Sequence, residues 1–302
     1  MNQSDRSAIA AAGPAPRVSI GLPIYNGARF LREALDSLLS QSVTDIELII
    51  SDNASTDSTA SICADYAKKD TRVRCVRQPK NIGAPRNWNI VAEEARAPYF
   101  KWATANDWCA PTMLENCLSV LEQDPSAVLA QGTTCLVDEV TGRREPYAGD
   151  LALTMALPSE RLRCLYKNLA LNNGQSGVIR MDALRRTRLD RPYKGGDFAL
   201  MAELALQGQF IVIPEVLFYR RMGQETFSRA LSGEHEAQFY DPLAERQIFG
   251  ERTRLHLDLI RSVATAGLGR RERLVALGVA LRHAMWDRSA IWAELRPRWA
   301  TG

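Results

Sequence analysis

The sequence predicts an α/β fold in which a mostly parallel sheet is flanked by helices and followed by a C-terminal helical segment. Short runs rich in β-branched residues alternate with stretches whose apolar residues fall at helical spacing, the pattern of strands joined by right-handed helical crossovers. An aromatic run, Tyr99 to Trp102, leads into the polar turn Thr104 to Asp107 and stops at Pro111, as strands do where an open α/β sheet binds its ligand at its carboxyl edge. Beyond Asp241 the strand pattern gives way to helical periodicity.

In chain order, Val18 to Leu22 reads as the first strand, closed by Pro23, and Ala28 to Gln41 as a helix with Phe30, Leu31, Leu35, Leu38 and Leu39 at helical spacing. Glu47 to Ile50 is the second strand, ending in Ser51, Asp52 and Asn53. Ser58 to Lys69 is the second helix, with Asp57 placed to cap it. Val73 to Val76, Asn87 to Ala95 and Tyr99 to Trp102 continue as strand, helix and strand. Thr112 to Gln123 is an amphipathic helix and Ala127 to Gln131 a strand. Val137 to Leu157, with Gly142, Pro146 and Gly149, is expected to be irregular and to lie over the site. Ser159 to Leu171 is helical, Asn172 to Arg180 returns as a loop and short strand, and Asp197 opens a helix with Phe198, Met201, Leu204 and Ala205 on its apolar face. Gln209 to Tyr219 is expected to form a strand pair broken at Pro214.

The chain has 302 residues, 46% hydrophobic and 24% charged, enough for one large core. A net charge of +3, with no basic stripe interleaved with aromatics, argues against nucleic acid as a partner. Six cysteines without a CxxC pair and three histidines support neither a zinc site nor a disulfide framework, and a reducing cytoplasm is expected. Residues 1–16 read as a disordered tail without the features of a secretory signal, and no apolar run approaches a bilayer-spanning length. From Leu243 to Gly302 there are 11 arginines against 6 acidic residues, with Trp286, Trp292 and Trp299 among them. Two readings stay open for 241–302: contact with an anionic membrane surface at its inner face, or a helical lid or homodimer segment with solvated arginines.

The first turn after a strand reads GLPIYNGA and carries no GxGxxG, so a dinucleotide fingerprint is missing. Asp52, at the end of the second strand, could accept hydrogen bonds from a pyrimidine imino group or a ribose hydroxyl, or serve as a turn aspartate capping its own loop. Four segments in order, VSIGLPIYNGARFLREALDSLLSQ, IELIISDNASTDST, QPKNIGAPRNWN and YFKWATANDW, resemble the GT-A glycosyltransferases of family 2, the inverting, nucleotide-sugar-dependent class. The resemblance spans residues 17–230. It implies a nucleotide-binding half over 17–111 and an acceptor half over 112–240, together one GT-A catalytic domain. It also implies a nucleoside diphosphate-sugar donor, with a UDP-sugar favoured, and a glycan or lipid-linked acceptor in bacterial polysaccharide or glycoconjugate synthesis. On the family's motifs, Pro23 and Tyr25 would lie beside the base, Asn26 would belong to the same donor site, Asp52 would bond the base, and Arg86 would lie near the nucleotide. The turn Thr104, Ala105, Asn106, Asp107 would meet ribose and diphosphate, and Asp197 would be the general base that takes the acceptor's proton. An aspartate before a helix is equally a good N-cap.

The departures from the pattern matter for the metal. Family members resemble D-x-D-D at the turn, where a carboxylate holds Mn²⁺ or Mg²⁺; here Asn106 offers a neutral carbonyl beside Asp107, the two candidate ligands. Met222 stands where relatives carry a histidine within a pattern that runs to Ser228, and a thioether is a poor ligand for hard cations. One expectation is weak or absent metal dependence, with Lys101, Arg220 and Arg221 neutralising the departing diphosphate. The other is an ion held by Asp107 and the diphosphate itself. Gly196 replaces the family's usual glutamate before Asp197. A protein that keeps the fold and binds a nucleotide-sugar without catalysis is the alternative function. A nucleotidyltransferase would need an early glycine-rich loop with a lysine, which is missing.

Overall fold

The computed structural model describes residues 15–223, 236, 239–243 and 250–295. The tail up to residue 14, Ser228 and Trp299 lie outside them. The first half is built by β1 (Val18–Ile24), α1 (Ala28–Leu39), β2 (Ile46–Asp52), α2 (Thr59–Lys69), β3 (Val73–Arg77), α3 (Ala84–Glu93) and β4 (Tyr99–Trp102). Then follow β5 (Trp108–Cys109), α4 (Met113–Gln123), β6 (Ala127–Asp138), β7 (Arg144–Pro146), α5 (Pro158–Asn168), a 3-10 turn (Asn173–Ser176), β8 (Val178–Arg180), α6 (Met181–Arg185), α7 (Gly196–Gln207) and β9 (Gln209–Met222). Three C-terminal helices are described: α8 (Glu251–Thr265), α9 (Arg270–Trp286) and α10 (Arg288–Leu295).

The nine strands form one sheet in the order β3-β2-β1-β4-β8-β6-β9-β5, with β7 paired to β6. β1 to β4 run parallel to one another, β8 runs antiparallel between β4 and β6, and β9 is parallel to β6. Strands covered on both faces read as continuous apolar runs, and every residue of β1 and β2 is buried. Pro23 is tolerated in β1 because pairing with β4 ends at Gly21 and Trp102, leaving the proline beyond that ladder. Asp57 accepts from Thr59 N at 3.0 Å and from Ala28 N at 3.2 Å, so it ties the start of α2 to the start of α1.

Two expectations are corrected. Gln209 to Met222 is one strand, not a broken pair: its register against β6 slips between Gly132/Ile213 and Thr133/Val216, so Pro214 and Glu215 are accommodated as a bulge. The segment after Val137 is not wholly irregular, because β6 runs on to Asp138 and turns back as β7.

α7 is buried almost all round rather than on one face, from Ala199 through Leu206. Its outer side is covered by C-terminal residues: Leu255, Leu259, Val263, Ala276 and Ala280 belong to the same apolar cluster as α7, Phe100 and Trp102. Glu203 of α7, only 8% exposed, joins this contact electrostatically. Its carboxylate accepts from Arg188 Nε at 2.8 Å, Arg188 N at 2.8 Å, Ser262 Oγ at 2.9 Å and Arg191 Nη2. Asp258 of α8 takes the other face of Arg188 at 2.6 Å. On the outside of the C-terminal helices Leu274, Met285, Trp286 and Trp292 are exposed. Among the described residues, no helix is long and apolar enough to cross a membrane.

Candidate active site

A cavity of about 440 Å³ opens at the carboxyl edge of β4 and is walled by three parts of the chain. The first half contributes Ala84, Pro85 and Trp88 of α3 with Thr104 and Asp107 of the turn. The second half contributes Asn172, Gln175 and Ser176, then Asp190, Lys194 and Asp197, then Phe218 and Arg220. Phe239 and Tyr240 complete the wall. Gly83 explains how they reach it: at φ +88° it lies so near Pro242 and Tyr240 that a Cβ would stand 2.8 Å from each. Arg86 fastens the same contact, with Nη1 2.5 Å from Asp241 Oδ1 and 3.2 Å from Ile82 O.

Asp107 sits at the inner end of the turn. Thr104 Oγ1 donates to its Oδ2 at 2.7 Å and Arg221 N to its Oδ1 at 2.8 Å. Burial pushes its carboxyl above the ordinary range, against the Thr104 hydroxyl, the Arg221 amide and the charges of Arg220 and Lys101. Asp197 stands in the first turn of α7, where Gly195 at φ +95° bends the chain into the helix. Asn172 Nδ2 donates to Asp197 Oδ2 at 3.1 Å. Arg220 faces the cavity and donates from Nη1 to Asn173 Oδ1 at 2.7 Å.

The cavity thus brings together Thr104, Asp107, Asp197 and Arg220 of the residues expected from sequence. The other expected residues are placed differently. Lys101, 1% exposed, donates to the carbonyl of Ser176 and acts electrostatically on Asp107 without lining the cavity itself. The Arg221 guanidinium is held over the Phe30 ring at 3.9 Å and the Trp108 ring at 4.8 Å, and Nη2 pairs with Glu33 at 2.6 Å. Asp52, 3% exposed, already accepts from Arg77 Nη1 at 2.6 Å and Ser55 N at 2.9 Å. Asn26 accepts from Thr56 N at 2.8 Å and Pro23 is buried; Tyr25 is exposed. Arg86 is engaged by Asp241 as above.

Sequence reasoning missed Asp190. A Cβ on Gly196 would collide with the carboxyl of Asp190 and the carbonyl of Arg191, so the glycine before Asp197 makes room for a second carboxyl. Burial first, and the neighbouring charge of Asp197 second, push Asp190 well above the ordinary carboxylate range. A folded value above the unfolded one means that its contribution to stability is fully present below the unfolded value and is lost as pH rises through the folded one. Asp190→Asn should therefore melt with the parent below about pH 3, and progressively above it as pH rises past about 4, the ordinary aspartate value. Melting curves across that range check this, and a gap that does not change with pH would contradict it.

The donor set does not fit a resident divalent cation. Both Asp107 oxygens are hydrogen-bonded, Asn106 is exposed with its backbone carbonyl accepting from Arg221 Nε at 3.0 Å, and Met222 adds only sulfur. Among the described residues no group of three or more His, Cys, Asp or Glu could hold a metal ion.

The family model for glycosyl transferase family 2 matches residues 19–188. The chain belongs to this family. An uncharacterized glycosyltransferase of Bacillus subtilis, EpsJ, is 34% identical over 118 residues, which are 39% of this chain and 34% of that protein. The match thus spans about a third of that relative's length. Among solved structures, S. aureus TarS 1-349 in complex with UDP-GlcNAc superposes with a TM-score of 0.61 at 16% identity, covering 93% of this chain and 76% of TarS. The mannosyltransferase PcManGT from Pyrobaculum calidifontis, in complex with GDP-Man and Mn2+, gives 0.51 at 18% identity, covering 94% and 77%. At these identities the two structures speak for a shared fold, that of family 2 glycosyltransferases of GT-A type.

Proposed function

We propose that this protein is an inverting glycosyltransferase that moves a sugar from a nucleoside diphosphate-sugar to a hydroxyl acceptor by single displacement, in bacterial polysaccharide or glycoconjugate synthesis. The observation that carries the reading is the convergence of Asp107, Arg220 and Asp197 on one cavity. Inversion needs a carboxylate on the face of the sugar opposite the leaving group. In this reading Asp197 takes the proton of the acceptor hydroxyl as its oxygen bonds to the anomeric carbon. The bond from that carbon to the diphosphate oxygen breaks, and its electron pair leaves with the diphosphate. A preorganised cation stabilises that developing charge in a water-poor site, and in this reading the cation is Arg220, which lines the cavity. The aromatic walls, Trp88, Phe218 and Tyr240, suit the apolar faces of a sugar ring.

The donor is proposed to be a UDP-sugar, in line with the UDP-GlcNAc complex of the similarly folded TarS. The poor ligand set at the turn leads to a reaction with weak dependence on Mn²⁺ or Mg²⁺. Thermal melting with a panel of nucleoside diphosphates and their sugars, beside a transfer assay, each in Mn²⁺ and in excess chelator, tests both points, since a selective ligand raises the melting point by mass action. A UDP-dependent rise that survives chelation, with turnover, is expected. Turnover lost in chelator and restored by Mn²⁺ would defeat the metal-light mechanism; tight binding without turnover would favour the non-catalytic alternative. No rise with any nucleoside diphosphate would defeat the whole reading.

A further inference from the structure

Among the described residues, two buried side-chain atoms of residues that line the cavity have no hydrogen-bond partner: Asn172 Oδ1 and Gln175 Nε2. Gln175 is 7% exposed, and a buried amide donor left unpaired is costly unless a ligand completes it. The polarity of the pair is fixed by its neighbours. Asn172 Nδ2 faces Asp197 Oδ2 at 3.1 Å and Gln175 Oε1 at 3.4 Å. A carboxylate only accepts, so the Asn172 nitrogen must face it and its Oδ1 is left as a free acceptor. Gln175 turns its oxygen towards that nitrogen, which leaves Nε2 as a free donor.

An unpaired acceptor and an unpaired donor on two amides that touch each other, one of them bonded to the proposed base, match the chemistry of hydroxyl groups, each of which donates and accepts. A phosphate oxygen would satisfy Gln175 and leave Asn172 unpaired, with negative charge drawn towards Asp197. A cation would satisfy Asn172 and be repelled by the Gln175 amide. We infer that Asn172 and Gln175 form a subsite that reads ring hydroxyls of the sugar at the reacting centre, and that Asn172 also positions Asp197. This deepens the transferase reading above and rests on it for the identity of the cavity.

The test uses the full chain and its Gln175→Met variant, which keeps the length of the side chain and removes the donor. Saturation-transfer NMR reads sugar-proton contact for the methyl glycosides of glucose, galactose and N-acetylglucosamine and for UDP-GlcNAc. Calorimetry reads the affinity for UDP. The expected result is that UDP binds both proteins equally, while the variant loses roughly tenfold in affinity for at least one of the sugar ligands, one buried hydrogen bond's worth. The variant should also stop distinguishing that sugar from its deoxy analogue, a readout that a purely structural role would not move. Which ligands lose affinity tells a donor sugar from an acceptor sugar. If a folded variant holds every sugar as the parent does while UDP still binds, the subsite is wrong and the transferase reading stands. If UDP binds neither protein yet sugar contact is lost in the variant, the subsite stands and the transferase reading fails.

Discussion

Asp197→Asn should lower turnover by about 100-fold or more while leaving donor affinity unchanged, the usual worth of a positioned general base. The amide keeps the shape of the carboxyl and its place in the first turn of α7, so packing around Gly195 and Gly196 is undisturbed. What it loses is the ability to take a proton as the acceptor oxygen attacks. Single-turnover kinetics beside calorimetric titration of UDP separate the two quantities. A variant with weakened UDP binding and normal turnover would place Asp197 at the donor and remove it from catalysis. Burial raises the second carboxyl, Asp190, above the ordinary carboxylate range, which disfavours the charged form a base needs.

The largest expected stability effect lies away from the cavity, at Glu203. Its carboxylate is the shared counter-ion of Arg188 and Arg191, whose side chains are 31% and 9% exposed, and it ties α7 to Ser262 of α8. Removing one partner of a buried ion pair leaves uncompensated charge, and such truncations cost about 3–5 kcal/mol. In Glu203→Ala, among the described residues, only Asp258 remains to balance both arginines. A chain of this size loses a few degrees of melting temperature per kcal/mol, so a drop of roughly 10 °C is expected. Glu122→Ala, which breaks the exposed pair with Arg17 at 2.7 Å, should change stability by less than about 1 kcal/mol. Scanning calorimetry of both variants checks the contrast; equal, small shifts would show that the contact between α7 and α8 does not depend on this network.

Much of the fold was legible because local rules and tertiary structure agree. Strands of the parallel half are buried on both faces, so their apolar runs stand out, and the helices between them keep their periodicity. Pro214 misled because a proline in a strand reads as a break, whereas here a bulge opposite Gly132 and Thr133 absorbs it. Of the expected residues, Thr104, Asp107, Arg220 and Asp197 reach the cavity wall, each from near a strand end or a helix start, positions that sequence patterns mark. Lys101 could not be placed by residue type alone: β4 is an internal strand in which Phe100, Lys101 and Trp102 are all buried, so side chains on both faces of the strand are covered and the lysine with them. Arg86 and Arg221 find Asp241 and Glu33, partners 155 and 188 residues away, for which the sequence carries no local signal. Asp190 did leave a trace in the glycine pair before Asp197, since consecutive glycines mark a close approach, but nothing said what approached.

In the proposed transferase, diphosphate and acceptor occupy opposite ends of the cavity between Asp107 and Asp197. A crystal structure of the UDP complex measures this directly. The prediction is that a diphosphate oxygen lies about 3 Å from an Arg220 nitrogen, at the Asp107 end, with the space beside Asp197 and Asn172 left for the sugar and the incoming hydroxyl. UDP bound with its phosphates against Asp197, or outside this cavity altogether, would contradict it.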